Sequence, residues 1–253
     1  MAALEIEHRG ACAILRLNRP ESLNSINDAL LGALEEQIDA LEAAPCRALV
    51  LTGTGRAFCA GTDLKESHSI PEERMQRVHA LVRRLRGYAK PSIAAINGLA
   101  LGGGLELALA CTFRVARADA KLGLPEVKLA LLPAYAGTQL LARLIGESRA
   151  LEMMLSGDPI DGIRAEQIGL VNKVVSAETD VVAAACELAA SFTRHSLVPQ
   201  RAILRAVREG LEMPLEGGMA LERALVSEVS GSADTLEGVS AFLEKRTPRW
   251  SDS

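Results

Sequence analysis

Aromatic residues are scarce, with 4 Phe, 2 Tyr and 1 Trp in 253 residues. Nor is there a basic excess: 28 Lys and Arg stand against 32 Asp and Glu, for a formal charge of −4. Such a chain lacks the basic field that neutralises phosphates and the ring platforms that hold single strands, so no nucleic-acid partner is expected. Long apolar runs are missing too. Residues 93–111 are interrupted by Asn97, four glycines and Glu106, short of the roughly 20 unbroken apolar residues of a membrane helix. Met1-Ala2-Ala3-Leu4-Glu5-Ile6-Glu7-His8 has no basic start leading into an apolar core, so no secretory signal is expected. Cys12, Cys46, Cys59, Cys111 and Cys186 include no C-x-x-C pair. They read as buried thiols in a reducing compartment, and the expected location is cytoplasmic. His8, His68, His79 and His195 show no ligand spacing, so no metal is expected.

What is present is ordinary globular material, 49% hydrophobic and 24% charged, long enough for one large domain or a core with an appendage. Apolar runs over 11–17, 47–52 and 91–96 predict strands. Leu30, Leu34, Ile38 and Leu41 recur at helical spacing over about 27–43, and Met75, Val78, Val82 and Leu85 mark a second amphipathic helix. Past residue 136 helical patterns dominate, near 137–145, 148–155, 162–168, 179–193, 198–210, 214–229 and 233–245, with one strand expected over 170–175. The coarse expectation is an α/β core followed by a helical tail.

Gly102-Gly103-Gly104 stands between a strand and an apolar helix. Glycine runs cost backbone entropy and are kept where the chain takes positive φ or is approached closely. Here they open a helix, whose first N–H groups lack internal partners and favour negative charge. A tight packed turn is the plainer alternative. Nucleotide motifs fail: a phosphate loop needs Lys where Gly104 stands, and Gly53-Thr54-Gly55 meets Phe58 where a dinucleotide fingerprint needs glycine. Glu106 sits among Leu105, Leu107, Ala108, Leu109 and Ala110. Buried without a cation, it should keep its proton to higher pH, as suits proton-transfer chemistry. Meeting helix amides is its alternative. Glu126, after Pro125, is a second lone carboxylate, with helix capping as its alternative. In Arg56-Ala57-Phe58-Cys59-Ala60-Gly61-Thr62-Asp63-Leu64-Lys65-Glu66 a turn of small residues after a strand again exposes amides. There Asp63 and Lys65 have a solvated helix start as their alternative.

Taken in order, the segments fall into a known pattern. Leu17-Asn18-Arg19-Pro20-Glu21-Ser22-Leu23-Asn24 is similar to N-R-P-x-x-x-N-A, with Ser25 for alanine. Ala57-Phe58-Cys59-Ala60-Gly61-Thr62-Asp63-Leu64 is similar to F-x-A-G-x-D-[IL], and residues 91–106 to P-x-I-A-A-[VI]-N-G-x-A-x-G-G-G-x-E. Leu122-Gly123-Leu124-Pro125-Glu126-Val127, Gly169-Leu170-Val171-Asn172-Lys173-Val174-Val175 and Phe242-Leu243-Glu244-Lys245-Arg246 continue the series. Along essentially its whole length the chain resembles the crotonase (enoyl-CoA hydratase/isomerase) superfamily.

The resemblance implies an α/β crotonase-like spiral of repeated strand-strand-helix units over residues 1–195, then a C-terminal α-helical trimerisation region over 196–253. It implies an oxyanion hole from the amides of Ala60 and Gly103, facing a thioester carbonyl. Ala60, Gly61, Thr62, Asp63, Gly103, Ala134 and Tyr135 would line the acyl-CoA site, and Lys245 would meet a CoA phosphate. Glu106 and Glu126 fill the two carboxylate positions of family hydratases: Glu126 as the acid for the α-carbon, both as holders and activators of water. The implied reaction is hydration of a 2-enoyl-CoA to a 3-hydroxyacyl-CoA by a homotrimer or hexamer, with no cofactor beyond the CoA of the substrate. A Δ3,Δ2-enoyl-CoA isomerase using Glu126 alone is the alternative, and a non-catalytic CoA- or RNA-binding member the third. Pro133-Ala134-Tyr135-Ala136-Gly137 departs from the usual Pro-Gly-x-Gly-Gly. The Ala134 methyl and Tyr135 should narrow an acyl pocket drawn partly from residues 65–85, or add a hydroxyl to it. Leu105 and Thr112-Phe113 are further departures, standing where a small and an acidic residue are common.

Overall fold

The computed structural model describes residues 2–65 and 72–253. Its larger sheet begins with a hairpin: β1 (Leu4–Arg9) pairs antiparallel with β2 (Cys12–Leu17). Strands β3 (Ala48–Gly53), β5 (Ser92–Ile96), β7 (Phe113–Arg117) and β10 (Lys173–Val175) then add in parallel, in the order β1-β2-β3-β5-β7-β10. A smaller sheet holds β4 (Ala57–Cys59), β6 (Leu99–Leu101), β8 (Lys121–Gly123) and β9 (Ile160–Asp161), in that order. The strands β3, β5 and β7 therefore each hand the chain to a short strand of the other sheet, and a helix follows. The helices are α2 (Glu72–Arg86) after β4, α3 (Gly103–Ala110) after β6 and α4 (Gly137–Ile145) after β8, while α1 (Asp28–Ala43) joins β2 to β3. The strand-strand-helix spiral expected from the sequence is present.

The alternation of side chains along the large sheet feeds two cores. Leu15, Leu17, Leu49, Leu51, Ala94 and Ile96 face the helices of the spiral, while Ile14, Val50, Ile93, Ala95 and Val115 face α7 (Val181–Thr193). Parallel strands buried on both faces read as unbroken apolar runs, which is why β2, β3 and β5 were legible. The two- and three-residue strands of the small sheet carry no period and were missed, as were β1 and β7. The strand expected over 170–175 shortens to Lys173–Val175, because Leu170 and Val171 are buried in the turn before it. Helices α5 (Glu147–Ser156) and α6 (Gly162–Gln167) flank β9.

The arginine-rich face of α2 is not simply wet. Arg77 pairs with Glu35 at 2.7 Å, Arg84 pairs with Asp39, and the buried Arg74 reaches Asp28 and the Ile26 carbonyl. These pairs fasten α2 to α1. The tail consists of α8 (Leu197–Gly210), α9 (Leu215–Ser230) and α10 (Ala233–Glu244), with α8 packed on α9. Its last residues return to the core: Asp252 accepts from the Leu197 N–H at 2.8 Å and pairs with Arg47, and the Trp250 indole N–H donates to the Arg194 carbonyl at 2.8 Å. No helix among the described residues is long and apolar enough to cross a membrane.

Candidate active site

The turns on either side of β4 are built by long-range polar braces. Asn24, fully buried, accepts from the Arg19 N–H and donates to the carbonyls of Thr54 and Ala57 at 3.0 and 2.8 Å. Asn97 ties the same stretch to β5, accepting from the Gly53 N–H at 3.1 Å and donating to the Gly55 and Ala57 carbonyls. Asp63 ends the turn in an ion pair with Arg19 at 3.0 Å, and Arg19 donates to the Ser25 carbonyl. The first sequence segment is thus a brace for the second.

That brace sets which amides are free. The Ala60 N–H donates to the Leu23 carbonyl at 3.0 Å, so the expectation that Ala60 supplies an oxyanion amide is corrected. Next, Ile26 clasps the chain around Thr62: the Ile26 N–H donates to the Gly61 carbonyl and its carbonyl accepts from the Asp63 N–H. In a parallel bridge the clasped residue makes neither bond, so the Thr62 N–H turns the other way. It lies 3.7 Å from where a Cβ on Gly103 would stand. Gly103 opens α3, and among the described residues neither the Thr62 nor the Gly103 amide has a backbone acceptor. The close approach requires glycine: a Cβ on Gly104 would stand 2.1 Å from the Cys59 carbonyl oxygen.

The two glutamates are held differently. Glu106, 1% exposed, rises from the first turn of α3, and its Oε1 accepts the N–H groups of Tyr135 at 2.8 Å and Gly137 at 2.6 Å. It therefore does meet helix amides, but those of α4, whose first residue is Gly137. Desolvation outweighs these two bonds and pushes its pKa up to about 8, with the nearby Glu126 charge adding to the rise. Glu126 opens the 3-10 turn Glu126–Leu129. Its Oε1 would lie 3.0 Å from a Cβ on Gly102, and its Oε2 is buried with no hydrogen-bond partner among the described residues. Burial raises its pKa as well. Capping is not its role.

The structure brings Gly61, Thr62, Gly103, Glu106, Glu126 and Tyr135 together. Tyr135 lies across Thr62 with its hydroxyl 2.8 Å from Thr62 Oγ1, while the Ala134 carbonyl is met by His79 Nε2 at 2.8 Å. His79 was not singled out in the sequence; helical spacing from Met75 and Val82 was the available signal. Lys245 does not join them. It caps α10 at φ 55°, exposed, and among the described residues shares no hydrogen bond or ion pair with the site. Of the 65–85 segment expected to shape the acyl pocket, residues 66–71 lie outside the described residues. Among the described residues no cluster of His, Cys, Asp and Glu fits a metal ion.

A sequence profile of the family described as Enoyl-CoA hydratase/isomerase matches residues 7–253. The 2,3-dehydroadipyl-CoA hydratase of Escherichia coli is 39% identical over 255 residues, covering 98% of each chain. The mitochondrial methylglutaconyl-CoA hydratase of Rattus norvegicus is 39% identical over 256 residues, covering 98% of this chain and 81% of that protein. The crystal structure of an enoyl-CoA hydratase from Bacillus anthracis superposes with a TM-score of 0.94 at 36% identity, over 99% of this chain and all of that one. The spiral accords with these likenesses, and the chain belongs to the crotonase (enoyl-CoA hydratase/isomerase) superfamily.

Proposed function

We propose that the chain hydrates a 2-enoyl-CoA thioester to the 3-hydroxyacyl-CoA. The observation that carries this reading is a pinned, buried Glu106 beside a half-buried Glu126 whose Oε2 has no partner among the described residues, together with the Thr62 and Gly103 amides, which have no backbone acceptor among them. The thioester oxygen would accept from those two amides, each worth roughly 3–4 kcal/mol as the carbonyl becomes an enolate. Water held between the carboxyls adds its oxygen to the β-carbon and loses a proton to a carboxylate. Glu126 delivers a proton to the α-carbon, which lies next to the bound carbonyl. Its position against Gly102, one residue from the Gly103 amide, supports that role. Gly61 and Ala134 complete the lining, while Asp63 serves through its pair with Arg19. The reaction needs no group beyond the CoA of the substrate, and a cytoplasmic location suits the free cysteines, four of them buried.

The reading includes the division at residue 195 and assembly through the tail. Leu211, Leu215, Leu236, Phe242 and Leu243 are all 70% exposed or more, an apolar face that a second copy would cover. Three copies, or six as paired trimers, are expected in sedimentation; a stable monomer removes that part. In that assembly Lys245 would meet CoA from a neighbouring copy.

Loss of the conjugated enoyl-thioester absorbance tests the reaction, over a panel of straight, branched and carboxylated 2-enoyl-CoAs. Turnover of any member, with the 3-hydroxyacyl product recovered, supports hydration. Inert 2-enoyl-CoAs beside conversion of 3-enoyl-CoAs to their conjugated isomers would replace it with isomerisation.

A further inference from the structure

Tyr135 meets Glu106, Thr62 and Gly103. It is 3% exposed. Its N–H holds Glu106 Oε1, its hydroxyl bonds Thr62 Oγ1, and its ring edge lies 2.8 Å from where a Cβ on Gly103 would stand. The phenol therefore lies against Thr62 and Gly103, the two residues that carry the open amides. Behind it, Ile26, Leu31, Val78, Leu81, Val82 and Leu107 close an apolar shell around a residual cavity of about 10 Å³. That volume accommodates about one water-sized sphere, so the space behind the ring takes no methylene chain unless the ring leaves. Leaving would break the Thr62 bond and uncover the apolar shell.

We propose that Tyr135 sets acyl length, confining this site to short-chain 2-enoyl thioesters by filling the inner acyl compartment, with the Thr62 hydroxyl fixing its ring. The inference rests on the enoyl-CoA reading above. Its hydroxyl acts on the ring's position and not on the reacting atoms.

The test compares four-carbon and ten-carbon 2-enoyl-CoAs by kcat/KM, and butanoyl- and decanoyl-CoA by Kd, which needs no turnover. The proteins are wild type, Tyr135→Phe, Tyr135→Leu and Tyr135→Ala, all of which keep the backbone N–H that holds Glu106. Wild type should favour the short member by roughly tenfold or more in both measures. Phe should preserve that preference, while Leu and Ala should erase it by admitting the longer chain. Equal handling of both lengths by wild type overturns the proposal, whatever the variants do. So does an unchanged ratio in a Leu or Ala variant that still unfolds cooperatively. Absent turnover with short-selective binding would sink the hydratase reading and leave the length claim standing. Turnover without length selectivity would do the reverse.

Discussion

Glu106 and Glu126 are two neighbouring carboxyls held by opposite means. On α3, Glu106 is tied by two amides of the turn that opens α4, so its position is set by a neighbouring helix and its removal would uncover that helix. Glu126 is carried on a single 3-10 turn, packs on a glycine and leaves one oxygen without a partner among the described residues. One carboxyl carries structure as well as chemistry; the other carries little structure. An anchored group can hold a water in one place, whereas an unpartnered one can change protonation without breaking a protein bond.

The contrast can be broken most directly at Glu126. Glu126→Gln should lower kcat for enoyl-CoA hydration about 10³-fold while leaving cooperative thermal unfolding in place; a variant with wild-type kcat would take Glu126 out of the chemistry. Glu106→Gln keeps an oxygen for the Tyr135 and Gly137 amides, so it should fold normally and still lose about 10²-fold in kcat. A smaller, purely structural difference separates the alanine variants. Glu106→Ala leaves two buried N–H groups unmatched and should cost about 2 kcal/mol or more in denaturant unfolding, whereas Glu126→Ala should fall well below that. Equal losses would erase the distinction drawn here.

A further difference is in the pH dependence of stability. Glu106 titrates near 8 in the folded chain against an ordinary 4.5, so between those values the native state binds the extra proton. Stability should fall as pH rises from about 4.5 to about 8 and level off above, by about 1.4 kcal/mol for each unit of raised pKa. Glu126 contributes a slope of the same sign. Unfolding midpoints of wild type and Glu106→Gln, measured across that range, isolate the Glu106 share. Parallel curves would mean that Glu106 is not raised.

Much of this site could be read from residue types alone. A carboxylate inside Leu105-Glu106-Leu107 and a glycine run at a helix start are local signals, and both survive in the structure. The amide assignment was not local. Ala60 and Thr62 flank Gly61 and look alike as small residues in an exposed turn; they differ because Leu23 and Ile26, some 35 residues earlier, take up one amide and turn the other away. Asn24 and Asn97 look like ordinary turn residues in the sequence, although each bridges two loops. Tyr135 stood out as a departure, but its contact with Thr62 spans 73 positions and has no sequence period.

The sequence by itself determined the two-faced apolar strands, the amphipathic α1 and α2, and the residue types at the carboxyl and glycine positions. Burial and local backbone preference act over a few residues, and leave that pattern in the chain. Only the tertiary structure decided which amides stay free, which helix Glu106 caps and what fills the space beside Gly103. Hydrogen bonds and van der Waals contacts act over a few ångströms, between atoms that only the folded chain brings together.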